Sequence, residues 1–167
     1  AILSGEQKSA LETKLQNFEK ETSNEIAVVI VPSLDGEPIE NLAQNIFVQW
    51  KIGKEGKNNG ALMLIAMQDR KTRIHTGYGL EGALTDIGTA DIQDTIMRPA
   101  FREGNYYQGI DSALEAIFAL SRGEYTSSGK TENAMGNWLA PLIVFCLVFF
   151  QWLAAIFSRS KSWWLGG

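Results

Sequence analysis

A chain of 167 residues that is 45% hydrophobic and 20% charged, with a net charge of −4, is long enough to bury one sizeable core and leave residues over. The charge is unevenly spread: before Thr126 there are 12 basic and 18 acidic residues, net −6, and from there on three basic and one acidic, net +2. Lys and Arg dispersed through an acidic domain argue against nucleic acid, the lone Cys146 allows no intrachain disulfide, and the lone His75 cannot build a histidine-based metal cluster.

Ser4 followed by Gln7 has the form of a capping box, and Leu11, Leu15 and Phe18 fall at helical spacing, which predicts an amphipathic helix over 4–22. Residues 25–31, EIAVVIV, are a continuous apolar, β-branched run closed by Pro32, and so predict a strand buried on both faces at the centre of a sheet. Pro38 suits a first helical position, and Ile39, Leu42, Ala43, Ile46, Phe47 and Trp50 make a core-facing helix that stops before Gly53. The apolar run 61–67 then predicts a strand parallel to the first across a right-handed crossover. Residues 72–76 predict an antiparallel edge strand after the Asp69-Arg70-Lys71 turn. Helical spacing resumes from Ile87 to Met97, where Pro99 is expected to interrupt it. Asn105 is placed to cap a last helix carrying Tyr106, Ile110, Ala113, Leu114, Ile117 and Phe118 on one face, ending near Gly123. The expected fold is therefore α/β, a three-layer α/β/α sandwich around a small mixed sheet of three or four strands, over residues 1–123.

Residues 124–137 read as a polar linker. Residues 138–157, WLAPLIVFCLVFFQWLAAIF, carry no charge and at 20 residues match a bilayer core about 30 Å thick, so a single transmembrane helix is expected. Arg159 and Lys161 after it, against Lys130 before it, place the C-terminus in the cytoplasm and the globular domain outside. The remaining tail, 158–167, is basic and aromatic and is expected to be truncated. At the front there is no initiator Met and no signal-peptide pattern, so the chain begins either after a removed leader or at an artificial boundary.

In a hairpin, the start of the first strand lies beside the end of the second. Asn58-Asn59-Gly60 should therefore meet Tyr78-Gly79-Leu80-Glu81 and make one surface from two loops, with Lys54, Lys57 and Asp86 nearby. Oxygen-bearing side chains on glycine-rich loops are what Ca²⁺ or Mg²⁺ takes, and such an ion can position a phosphate ester. The same glycines can equally serve tight turns among merely solvated polar residues. A second edge exists at the carboxyl ends of the parallel strands, Ser33–Asp35 and Gln68–Arg70, where ligands bind in open α/β sheets. There the Asp-Arg-Lys run also reads simply as a hairpin turn. No GxSxG is present, and GYGLEG lacks the spacing of a dinucleotide fingerprint.

The combination of KNNG, the DRK turn, GYGLEG and PAFREGNYYQG over about residues 3–122 resembles the TPM-domain family. The resemblance implies a small α/β/α sandwich, usually set between a signal peptide and one or more membrane helices. It further implies a bacterial inner-membrane location with the domain extracytoplasmic. For function it implies one of two things. The first is an interaction or accessory module of a membrane or envelope complex, with Lys54, Lys57, Asn58, Tyr78 and Gly79 as the partner surface. The second is a divalent-cation-dependent phosphatase, with Ca²⁺ or Mg²⁺ at Asn59, Glu81 and Asp86 and with Asp86 as the essential carboxylate. Where the family has Asp-Asn-Gly this chain has Asn58-Asn59-Gly60, and the lost carboxylate weakens any hard-cation site.

Overall fold

The structure, a computed structural model, describes residues 2–123. The expected linker, transmembrane helix and tail lie outside the described residues. Among the described residues, no helix is long and apolar enough to cross a membrane.

Helix α1 (Gly5–Thr22) begins with the capping box: Ser4 Oγ accepts from Gln7 N–H at 3.1 Å, and Gln7 Oε1 accepts from Ser4 N–H at 2.9 Å. Strand β1 (Glu25–Val31) is followed by α2 (Ile39–Gln49), then by β2 (Gly60–Ala66) and β3 (Lys71–Thr76). The sheet order is β1-β2-β3, with β2 parallel to β1 and antiparallel to β3, so the sheet is mixed and three-stranded. One expectation is corrected here. The apolar run of β1 is not the central strand: it pairs on one side only and is half-buried at most positions, whereas β2 is buried at all seven. An apolar run reports that both faces are covered; it says nothing of how many lateral neighbours the strand has.

Alternation along β2 divides the core in two. Ala61, Met63 and Ile65 face Leu11 and Phe18 of α1 and a group on the last helix that includes Ile110, Leu114 and Ile117. Leu62, Leu64 and Ala66 face Ile39 and Ala43 of α2. The sandwich is therefore α/β/α, and among the described residues α2 is the one helix on its side. On the other side Phe18 stacks on Phe118 at 3.9 Å, and Lys14 bridges from α1 to Asp111 and, at 2.8 Å, to Glu115.

A 3₁₀ turn (Tyr78–Leu80) leads to α3 (Asp86–Asp91), a π-helical segment (Ile92–Met97), α4 (Arg98–Arg102) and α5 (Tyr106–Arg122). Pro99 does not interrupt the helix as expected. The π segment has an i→i+5 bond from Arg98 N–H to Gln93 O, and this wider turn admits the proline ring without the clash it meets in an α-helix. Nor does the Asn105 side chain cap α5; it donates to Glu103 Oε2 at 3.2 Å.

Candidate functional site

The two loops expected to meet do meet. Gly77 N–H donates to Gly60 O at 2.8 Å and Gly79 N–H to Asn58 O at 3.0 Å, which ties the end of the hairpin to its beginning. The fit is close: a Cβ on Gly79 would stand 2.0 Å from Lys57 O, so only glycine is admitted there. Asn58 has φ +49, a left-handed conformation that Asn and Asp tolerate better than other side chains. Asparagine thus suits the backbone turn here while bringing no charge to the loop.

Behind this surface, Asn59 is committed to the interior. It is only 7% exposed; its Oδ1 accepts from Lys54 N–H at 3.0 Å and its Nδ2 donates to Ser23 O at 2.6 Å and Asn24 Oδ1 at 3.2 Å. Glu25 N–H donates to Asn59 O at 3.0 Å, and Glu25 Oε2 accepts from Gly53 N–H at 2.9 Å. These bonds lash the 53–60 loop to the start of β1. Lys54 Nζ lies 3.8 Å from Glu19 on α1, an exposed pair worth little in itself.

In front of the surface, Tyr78 is 81% exposed on its pinned turn, and Lys57, Asn58, Glu81 and Asp86 are exposed as well. Trp50 and Val48, at the end of α2, are exposed at 61% and 60%, and Ile87, in the first turn of α3, at 77%. Phe47 of the same helix reaches the Gly77 backbone and packs edge-on to His75 at 4.8 Å, joining the end of α2 to the hairpin. Burial, with the Arg73 guanidinium, pushes His75 below the usual histidine range against the opposing pull of Glu81. Among the described residues, no three His, Cys, Asp or Glu side chains converge to hold a metal ion.

The structure therefore assembles Lys57, Asn58, Tyr78 and Gly79 into one rigid corner, with the Asn59 side chain behind it as scaffold. Helical periodicity had set Trp50 on the core face of α2 and Ile87 in an apolar helical pattern; both are exposed instead, at the end of α2 and in the first turn of α3, as is Val48, because periodicity along a helix does not show where its ends run out of neighbours. At the opposite end of the sheet lies a cleft of ≈ 840 Å³. Sequence reasoning had pointed to this edge through Ser33–Asp35 and Gln68–Arg70, of which Arg70 lines the cleft.

A mixed three-stranded sheet between α2 on one face and α1 and α5 on the other, with two loops joined at one end, defines a small α/β/α domain. The TPM domain profile matches residues 1–120, and the chain belongs to that family. Among solved structures, the N-terminal domain of a P. gingivalis protein is 34% identical, with a TM-score of 0.68 over 74% of this chain and 78% of that one. The BA42 protein of the psychrophilic bacterium Bizionia argentinensis is 21% identical, with a TM-score of 0.64 over 75% and 86%. The N-terminal domain of a Corynebacterium glutamicum protein is 18% identical, with a TM-score of 0.54 over 77% and 78%. The last two likenesses are of fold alone. Comparison with curated proteins returns no match.

Proposed function

We propose that this chain is a membrane-tethered, extracytoplasmic TPM domain that acts as a docking module, with the loop corner engaging a protein of the same membrane or envelope. One observation carries the reading: Tyr78, 81% exposed, stands on a turn fixed by backbone bonds from Gly77 and Gly79. A large amphipathic ring held rigid before binding loses little entropy on contact, which is how aromatic anchors come to dominate interfaces. Trp50, Val48 and Ile87 add apolar area that a solvated loop has no need of, and Lys57 supplies a polar rim. The transmembrane helix expected at 138–157 would hold the module beside partners in the bilayer. Mild detergent extraction of the full chain tests this: it should migrate in an assembly larger than itself, and Tyr78→Ser should release it. Migration unchanged by Tyr78→Ser contradicts the reading.

A second reading, a divalent cation at Glu81 and Asp86 serving phosphate-ester hydrolysis, is favoured by one observation. Neither carboxylate has an ion-pair partner among the described residues. The donor set is thin, since Asn58 brings no charge and Asn59 Oδ1 already accepts from Lys54 N–H. Thermal stabilisation by Ca²⁺ or Mg²⁺ that disappears in Asp86→Ala would support it; no shift at millimolar cation would remove it.

A further inference from the structure

The cleft at the far end of the sheet lies beyond the docking corner and outside the function proposed above. It sits at the carboxyl end of β2, where Ile65, Ala66 and Met67 lead through the hairpin turn to Lys71 and Thr72 at the start of β3. Its walls bring two separate sequence motifs into one place: Arg70 and Lys71 from the hairpin turn, and Arg98, Phe101, Arg102 and Tyr106 from α4 and the start of α5. Four of the twelve cations before Thr126 therefore line one concavity, facing a single carboxylate, Glu40, in a domain whose net charge is −6. Dispersal along the sequence has become clustering in space.

Three further features bear on what the cleft takes. Among the described residues only Arg98 of the four is ion-paired, to Asp94 at 2.9 Å; Arg70, Lys71 and Arg102 have no acidic partner. Two helices, α2 through Ile39 and Glu40 and α5 through Tyr106, bring their first turns to the cleft, and neither has a side-chain cap, whereas α1 and α3 are capped by Ser4 and Thr85. Their positive ends add to the guanidinium field. Arg70, finally, is held at φ +52, a left-handed conformation costly for a long side chain, at a turn position where glycine or asparagine would be easier.

We propose that this cleft binds a phosphate ester whose organic part is apolar or aromatic, with Arg70, Lys71 and Arg102 on the phosphate and the Phe101–Tyr106 pair against the organic part. A single carboxylate would neutralise one of the three unpaired cations. A phosphate dianion with three peripheral oxygens can accept from forked guanidinium donors and an ammonium together. Phe101 and Tyr106, with ring centroids 5.1 Å apart, offer an apolar wall beside those donors, and the volume suits a small molecule rather than a polymer. That chemistry is met in a soluble phosphate monoester and in the headgroup of phosphatidic acid, and the two sources separate experimentally.

The purified full chain in detergent is titrated with phenyl phosphate, inorganic phosphate and phenol, and in parallel with the short-chain, water-soluble dihexanoyl forms of phosphatidic acid and phosphatidylcholine. A soluble ligand predicts phenyl phosphate binding tighter than inorganic phosphate, with phenol silent. A lipid ligand predicts saturable binding of the dihexanoyl phosphatidic acid, tighter than that of phenyl phosphate, with the dihexanoyl phosphatidylcholine silent. In whichever arm binds, Arg102→Gln and Arg70→Gly each weaken binding about tenfold or more and Lys51→Gln leaves it unchanged. Arg70→Gly relieves the left-handed strain, so its melting temperature stays level or rises, and weaker binding there cannot be blamed on unfolding. Binding that none of the cleft variants alters, or no binding in either arm at millimolar ligand, overturns the proposal. A failure of the docking corner leaves these titrations unaffected, because Tyr78 takes no part in them.

Discussion

The carbonyl oxygen of Lys57 occupies the space where a side chain on Gly79 would begin: a Cβ there would lie 2.0 Å away. Two loops separated by some twenty residues in sequence are thereby locked at backbone distance, and the Gly79 N–H to Asn58 O bond, 3.0 Å, runs through the contact. Gly79→Ala is expected to force the loops apart and cost about 1–3 kcal/mol, the range for overpacking. Urea unfolding checks it. A loss below ~0.5 kcal/mol would mean that the corner is pliable.

Asn59 gives a second test of the same corner from behind. Asn59→Ala removes one acceptor and two donors from a nearly buried position and should cost about 2–3 kcal/mol. Asn59→Asp is expected to be at least as damaging. It keeps an acceptor for Lys54 N–H but sets a carboxylate against Ser23 O and Asn24 Oδ1, where the amide donated. Chemical denaturation of both variants decides the order.

Tyr78→Ser separates folding from binding. At 81% exposure the ring contributes little to the core, so unfolding free energy should change by less than about 0.5 kcal/mol. Loss of an aromatic anchor from an interface, by contrast, costs about 2 kcal/mol or more, roughly thirtyfold in affinity. Denaturation and complex retention measured on the same preparation test both halves.

His75 makes stability depend on pH in a defined direction. Its pKa in the folded state is lowered by burial and Arg73, so below about pH 6.5 the unfolded chain takes up a proton that the folded chain still refuses. The contribution of neutral His75 is complete above about pH 6.5 and is lost as pH falls from there to the depressed folded value. Its slope is at most about 1.4 kcal/mol per pH unit. Subtracting the stability–pH curve of His75→Gln from that of the wild type isolates it. A flat difference across that window contradicts the assignment.

Much of the fold was legible because its signals are local. Ser4 and Gln7 formed their capping box, the boundaries of β1 matched the apolar run, and hairpin geometry placed Asn58 beside Gly79. What could not be read was set by tertiary neighbours. The centrality of β2 over β1 depends on strand order, and the passage of Pro99 inside a helix depends on the π segment before it. Asn59 looked like a ligand because a side-chain amide on a glycine-rich loop has the right atoms. Only the positions of Ser23, Asn24 and Lys54 show where its hydrogen bonds go. The cationic cleft was invisible for the same reason: Arg70 and Arg102 lie far apart in sequence and meet only across the folded domain.

The docking role of the corner is tested most directly by placing a photo-crosslinking amino acid at Lys57, whose carbonyl abuts Gly79, in the full chain in its native membrane, with the same group at Glu12 on the exposed face of α1 as reference. The account predicts a discrete protein adduct from position 57 that is absent from position 12 and falls about tenfold or more when Tyr78→Ser is added. An adduct that forms equally from both positions, or one indifferent to Tyr78→Ser, would contradict it.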